Sequence, residues 1–219
     1  MRFYILLGVS GSLSTSMAEQ LLSTSNELFF ASPDENMDLR KFARMRQLAL
    51  NFEQMDTKDA VKTQAWIEKV LDKMEEEDWK EVSLIVMTEK DKSGIKSSLL
   101  SDYCNSYQRM VQPMDKEKRI LICGRQEDQS AKPGSAVGGK HHDQLPGLIR
   151  ELALSQIGQK FPVKYSSILL NAEQQESNRG GNSARQTHYS PELLACELVK
   201  LFQAADFGEE KAIVLKDLI

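Results

Sequence analysis

The sequence is poor in the residues that build metal centres, disulfide frameworks and nucleic-acid surfaces. Its 219 residues include three cysteines, Cys104, Cys123 and Cys196, which are widely spaced and odd in number. This pattern excludes a zinc or disulfide framework and fits a reducing compartment, so we expect a cytoplasmic protein. The net charge is −4 and no basic stripe stands out, which gives no reason to expect a nucleic-acid partner.

Long apolar runs are also missing. No stretch approaches the ~20 residues that a membrane-spanning helix needs, so we expect no membrane partner. The hydrophobic content of 41% and the charged content of 27% are ordinary for a globular protein. The length suits one α/β domain, which we assign to residues 1–219.

The residues that are present alternate between apolar runs and amphipathic stretches. The predicted strands are Phe3–Val9, Asn26–Ser32, Arg46–Glu53, Glu81–Thr88, Arg119–Gly124, Val163–Asn171 and Lys211–Ile219. The predicted helices between them are Ser14–Leu22, Asp34–Met45, Thr57–Glu77, Ile95–Val111, Leu145–Gly158 and Ser190–Phe202. This alternation predicts a Rossmann-like, doubly wound, mostly parallel α/β sheet of seven strands in a single domain.

The clearest helix is the one that follows the third strand. Thr57 is its predicted N-cap, and Val61 and Trp66 belong to one apolar stripe with Val70 and Met74.

The run ILLGVSGSLSTSMAEQLL marks the first strand, a turn and the first helix. In a doubly wound sheet, ligands bind outside the carboxyl ends of the strands, so this turn lies where a dinucleotide would bind. The free N–H groups at the start of the helix would face an anion there.

The order of elements and several segments resemble the short-chain dehydrogenase/reductase family. The resemblance covers essentially the whole chain and rests on FFASPDENMDLRKFARM, on FEQMDTKDAVKTQAWIEKVLDKMEEEDWKEVSLIVM and on SPELLACELVKLFQAADFGEEKAIVLKDLI. The last segment is similar to the tail of the sepiapterin reductase and benzil reductase branch, a group of NADPH-dependent carbonyl reductases.

The resemblance implies a cofactor turn of the form Thr-Gly-x-x-x-Gly-x-Gly. The corresponding run here is Leu7–Ser14, in which Gly8 is kept while Ser12 and Ser14 stand in place of the last two glycines. Those glycines allow close approach of the pyrophosphate and close packing of helix on strand. The resemblance therefore implies a vestigial cofactor-binding turn, and its residues are Gly8, Ser10, Gly11, Ser12 and Leu13.

The other motifs that the resemblance implies are altered as well. The Asn-Asn-Ala-Gly run after the fourth strand is replaced by Val86–Glu89, and no serine follows the fifth strand until Ser130. In the Tyr-x-x-x-Lys motif, Lys140 fits the lysine but Ala136 takes the tyrosine position. The tyrosine would give or take the proton during hydride transfer, so its loss opposes catalysis.

Two readings of these changes remain open. The first is a degenerate, non-catalytic member that serves as a binding or scaffold subunit and binds no dinucleotide tightly. The alternative is an active NADP(H)-dependent carbonyl reductase of the benzil or sepiapterin type with an atypical site. A sensor that keeps a small molecule in the vestigial pocket is a third possibility. If any cofactor binds, the resemblance implies NADP(H).

Single residues near this site also allow two readings. Lys140 is either a relic of the catalytic lysine or an exposed lysine at the start of a helix. Cys123 is either a reactive thiol or a small buried apolar residue, and the second reading is favoured. His141 and His142 are adjacent and point to different helix faces, which favours solvated side chains over a metal or proton-relay site.

The resemblance further implies a homodimer, in which the helices at Ile95–Val111 and His141–Ile157 would pack against their symmetry mates. Both stretches carry more apolar residues than one sheet face needs. These residues are Leu99, Leu100, Tyr103, Tyr107 and Met110 on the first stretch and Leu145, Leu148, Ile149, Leu152 and Leu154 on the second.

Overall fold

Apolar runs and amphipathic stretches alternate in this chain, and they fold into one parallel sheet with helices on both faces. A computed structural model describes residues 2–8, 11–24, 27–75, 79–88, 97–126, 144–160, 162–171, 190–203 and 213–214. The sheet has seven strands in the order β3-β2-β1-β4-β5-β6-β7, and all neighbouring pairs are parallel. The predicted single-domain, doubly wound α/β fold is therefore confirmed.

The strands lie close to the predicted apolar runs. They are β1 Arg2–Leu7, β2 Glu27–Ser32, β3 Leu50–Gln54, β4 Glu81–Met87, β5 Glu117–Gln126, β6 Lys164–Asn171 and β7 Ile213–Val214. The helices are α1 Ser12–Ser23, α2 Met37–Arg46, α3 Ala60–Glu75, α4 Ser97–Val111, α5 Gln144–Leu154 and α6 Pro191–Gln203.

The two faces of the sheet carry separate cores. Alternate residues of the central strand β1 point to opposite sides, so Phe3 and Ile5 meet α3 and α4, whereas Tyr4 and Leu6 meet α1 and α6. Because both faces are covered, β1 and β4 are apolar along nearly their whole length. Packing on both faces therefore fixes the positions of the carboxyl ends of β1 and β4.

The boundary between α2 and β3 differs from the prediction. Residues 46–53 were expected to form a strand, but α2 continues to Arg46 and Gln47 then adopts a left-handed conformation with φ of 54°. The backbone N–H of Gln47 donates to the Arg44 carbonyl and that of Leu48 donates to the Ala43 carbonyl, and these two bonds end the helix. The third strand therefore begins only at Leu50.

The apolar stripe predicted for α3 is partly wrong. Val61 is 76% exposed, and Thr63 instead takes a fully buried place against the sheet. The rest of the stripe, including Val70 and Met74, is buried as predicted, while Trp66 is half-buried.

The apolar residues of α4 are needed inside the single chain. Tyr103 and Tyr107 are fully buried, and the Tyr107 hydroxyl donates to the Val82 carbonyl at 2.8 Å. Leu100, Ile149 and Leu152 are also buried, so five of the ten residues predicted as an apolar surplus are core residues. Leu154 is exposed, and the side chain of Leu145 lies outside the described part of the structure.

A buried guanidinium joins the amino-terminal edge of the sheet to α6. Arg119 donates to the Phe202 carbonyl at 2.7 Å and to the Glu117 carboxylate at 2.8 Å, and it lies 3.7 Å from the Glu81 carboxylate. Burial acts to raise the pKa of Glu117, but hydrogen bonds from Lys164 and Arg119 outweigh it and hold that pKa below its usual value. The stabilisation from Glu117 is thus present above its unfolded pKa and is lost as the pH falls through its lower folded pKa.

Among the residues that the structure describes, no helix combines the length and the hydropathy that crossing a bilayer requires.

Replacing Arg119 by methionine should destabilise the protein strongly. Arg119→Met removes the donor to the Phe202 carbonyl and a buried cation beside the Glu81 carboxylate, which costs about 3–5 kcal/mol of unfolding free energy. Arg109→Met is the control, because Arg109 forms an exposed pair with Glu68 and its loss should cost less than about 1 kcal/mol. Urea denaturation of both variants checks the difference, and equal losses would contradict the role given to Arg119.

Candidate functional site

The predicted site lies at the carboxyl ends of β1, β2 and β4. β1 pairs with β2 on one side and β4 on the other, so the strand order reverses beside it. Ligands of open parallel sheets bind at such a reversal. The turn from Gly8 into α1 is therefore at the position that the sequence predicted.

Gly8 is required by packing. Its N–H donates to the Ala31 carbonyl at 2.8 Å. A Cβ atom at this position would lie 2.5 Å from Cε2 of Phe30 and 3.2 Å from Cβ of Ser14. Ser14 is 2% exposed, so a serine fits in the helix–strand contact because Gly8 opposite has no side chain. The close packing of α1 on β1 is therefore possible although residue 14 is a serine and not a glycine.

Gly11 begins α1 and sets the direction of the turn. It is the N-cap, with φ of 128°, a conformation that favours glycine. Ser12 is exposed, and Leu13 packs partly against the core between the sheet, α1 and α6. The turn thus brings Gly8, Gly11, Ser12 and Leu13 together, whereas Ser10 lies outside the described residues.

A carboxylate already pairs with the N–H of the N-cap residue of α1. The Gly11 N–H donates to Oδ2 of Asp34 at 3.0 Å. The sequence predicted Asp34 as the start of α2, but the N-cap of that helix is Asn36. The Thr15 hydroxyl donates to Oδ1 of Asn36 at 2.8 Å, and this bond connects the start of α2 to the first turn of α1. Asp34 is thereby held over the positive end of the α1 dipole.

An anion that binds at the start of α1 would lie close to the Asp34 carboxylate. A pyrophosphate would compete with the Asp34 carboxylate for the Gly11 N–H and would meet its negative charge at close range.

Thr57 has a different role from the one predicted. Its hydroxyl is buried and donates to the Gly8 carbonyl at 2.9 Å, and its own carbonyl accepts a hydrogen bond from the Tyr103 hydroxyl at 2.7 Å. The N-cap of α3 is instead Asp59, whose Oδ1 accepts the Lys62 N–H at 3.2 Å. Hydrogen bonds from Lys62 lower the pKa of Asp59. The DTKD segment allows either assignment, and only the packing against Gly8 distinguishes them.

Thr88 connects the carboxyl ends of β4 and β5. Its N–H and its hydroxyl both donate to the Cys123 carbonyl, at 2.8 and 3.1 Å. Cys123 is 1% exposed, and burial raises the pKa of its thiol to about 12. A thiol in this state is not a nucleophile at neutral pH, which agrees with the favoured reading of a buried apolar residue.

The remaining predicted residues lie outside the described ranges. These are Ser10, Glu89, Ser130, Ala136, Lys140, His141 and His142. Within the described ranges, no group of three or more His, Cys, Asp or Glu side chains is placed to hold a metal ion.

Comparison with known proteins places the fold among short-chain dehydrogenases/reductases. No protein-family model and no curated protein matches the sequence. A short-chain dehydrogenase from Rhodopseudomonas palustris superposes with a TM-score of 0.69 at 9% identity, over 97% of each chain. A short-chain dehydrogenase/reductase variant from Serratia marcescens also reaches 0.69, at 13% identity over 97% of this chain and 96% of that one.

A metagenomic short-chain oxidoreductase in complex with NADP has a TM-score of 0.60 at 14% identity, covering 97% of this chain and 96% of its own. At these identities the likeness shows a common fold. The activity of this chain has to be argued from its own residues.

Removing the Thr57 hydroxyl should loosen the turn. Thr57→Val keeps the shape of the side chain but leaves the buried Gly8 carbonyl without its donor, which we expect to cost about 1–3 kcal/mol of unfolding free energy. Thr57→Ser keeps the hydroxyl and should lose clearly less. The two variants are compared by urea denaturation, and equal losses would mean that the hydrogen bond contributes nothing.

Proposed function

We propose that this protein uses a short-chain dehydrogenase/reductase-like fold without its chemistry, as a non-catalytic binding or scaffold subunit. The observation that carries the proposal is the hydrogen bond from the Gly11 N–H to the Asp34 carboxylate at 3.0 Å. This bond supports the proposal because a carboxylate of the protein itself pairs with an N–H group at the helix start, the kind of place where a phosphate anion binds.

Electrostatics supports weak dinucleotide binding. Asp34 is exposed, so its repulsion of a pyrophosphate is screened but acts at short range. In the sequence, Ser12 and Ser14 also stand in place of glycines, and Glu89 adds a negative charge in the fourth-strand motif. We expect these residues and Asp34 together to weaken the free energy of dinucleotide binding by roughly 2–4 kcal/mol, or about two to three decades in affinity. NADP(H) carries one more phosphate than NAD(H) and would be penalised more.

The tyrosine that acid–base catalysis needs in the resembled family is also replaced in this sequence. Ala136 stands where the resemblance places the catalytic tyrosine. Burial raises the pKa of the four tyrosines in the described ranges, whereas a phenol that shuttles protons needs a lowered pKa. These four tyrosines are Tyr4, Tyr103, Tyr107 and Tyr165.

Cofactor titration tests the proposal directly. We expect neither NADPH nor NADH to bind with a low-micromolar Kd in calorimetry, because the turn is already paired with Asp34. We also expect no reduction of diketones or pterins in the presence of NADPH. Robust NADPH oxidation would instead support the alternative of an active carbonyl reductase with an atypical site.

Neutralising Asp34 should improve dinucleotide binding. Asp34→Asn removes one negative charge beside the Gly11 N–H, and we expect affinity to rise about five- to tenfold, more for NADPH than for NADH. Glu35→Gln makes the same charge change at the neighbouring exposed residue and should alter affinity by less than about twofold. Unchanged or weaker binding in Asp34→Asn would show that Asp34 does not guard the turn.

We further propose that the protein forms a homodimer through the end of α5. Leu154 and Ile157 are 56% and 76% exposed there, and a symmetry mate packed on this end of α5 would cover both. The buried Tyr107 is unsuitable as an interface probe, since Tyr107→Glu would disrupt the core of one chain.

Light scattering at micromolar concentration tests the dimer. Ile157→Glu should reduce the mass to that of one 24.8 kDa chain without changing the melting temperature. Val61→Glu is a matched control, because Val61 on α3 is equally exposed and lies outside the proposed contact. A wild-type mass of one chain would rule out the dimer, and dissociation by both variants would place the contact elsewhere.

A further inference from the structure

A groove lies on the side of the sheet that carries α3, beside the edge strand β3. It has a volume of about 180 Å³, and Phe29, Asn51, Glu53, Trp66, Lys69 and Lys73 are among its lining residues. α3 packs on β1, β2 and β4, and β3 contributes none of the buried residues of that core. The groove exists because α3 leaves this face of β3 uncovered.

The floor and one wall of the groove are aromatic. Phe29 is 5% exposed and forms the floor together with Val70, which is 4% exposed. Trp66 is half-buried and packs against the same core. Two aromatic rings at an open groove favour a flat apolar ligand, since offset or edge-on ring pairs add to the burial of area.

The rim of the groove is positively charged. Lys69 and Lys73 are one turn apart on α3, and Nζ of Lys73 lies 5.9 Å from the centre of the Phe29 ring. In the described part of the chain, neither lysine forms an ion pair, and that includes Glu53 on the opposite side of the groove. The lining therefore carries two cations and one anion.

We propose that this groove binds a small aromatic carboxylate, with its ring against Trp66 above the floor formed by Phe29 and Val70 and its carboxylate between Lys69 and Lys73. An enclosed cavity of about 150 Å³ holds one benzene ring, so the volume of this groove matches a ligand with a single ring. The paired lysines supply charge-assisted hydrogen bonds to the carboxylate. This site is separate from the turn at Gly8 and does not depend on the function proposed for that turn.

Benzoate is the probe, and the indole N–H signal of Trp66 in a ¹⁵N-labelled protein is the readout. Trp79 is the second tryptophan and is 3% exposed, so it serves as an internal reference. We expect the Trp66 signal to shift and saturate with a millimolar Kd. Benzamide, the neutral isostere, should bind at least fivefold more weakly, and cyclohexanecarboxylate should also bind more weakly.

Two double variants test whether the charges of Lys69 and Lys73 bind the carboxylate. The double variant Lys69→Met and Lys73→Met keeps the apolar stems and should weaken benzoate binding about tenfold. The double variant Lys58→Met and Lys62→Met makes the same charge change near the other end of α3 and should bind benzoate as the wild type does.

Three results would overturn the proposal. Equal benzoate affinity in the two double variants would remove the role of Lys69 and Lys73. Shifts centred on Gly8 and Gly11 rather than on Trp66 would place the ligand in the turn. A Trp66 signal that depends on protein concentration without benzoate would assign the groove to a second copy of this chain.

Discussion

The hydrogen bond from the Thr57 hydroxyl to the Gly8 carbonyl holds the candidate site together. It connects the loop after β3 to the end of β1, and the Tyr103 hydroxyl connects the same loop to α4. Three segments that are far apart in sequence therefore meet at one buried point. Because these bonds lie within the protein, the turn after β1 keeps its geometry without help from a ligand.

That internal support makes the geometry of the turn independent of a bound cofactor. Gly8 is needed for packing against Phe30 and Ser14, whether or not a phosphate binds. The dipole of α1 still needs an anion near its start, and the Asp34 carboxylate supplies one. Under the proposed function, the protein keeps its sheet, its helices and a well-formed surface while the affinity for a dinucleotide falls. We regard this as the physical basis of the proposed non-catalytic role.

Much of the fold was predictable because burial on both faces leaves a simple pattern. The continuous apolar runs of β1 and β4 predicted central parallel strands, and Ser190 with Pro191 predicted the start of α6, where Ser190 accepts the Leu193 N–H at 3.3 Å. The errors have a common cause. Val61 fits a helical stripe but is exposed in the folded chain, and an apolar count cannot show whether Tyr103 and Tyr107 serve the core or a partner.

The sequence by itself determined the order of the elements, the parallel sheet and the position of the turn, because strand and helix periods are local properties. Only the tertiary structure decided what the polar residues of that turn do. Asp34 and Thr57 were both assigned to helix starts, yet one binds the Gly11 N–H and the other binds the Gly8 carbonyl. A short polar side chain can bond to its own helix or to a distant backbone group, and only the packed chain shows which group lies within reach: the buried Gly8 carbonyl for Thr57 and the exposed Gly11 N–H for Asp34.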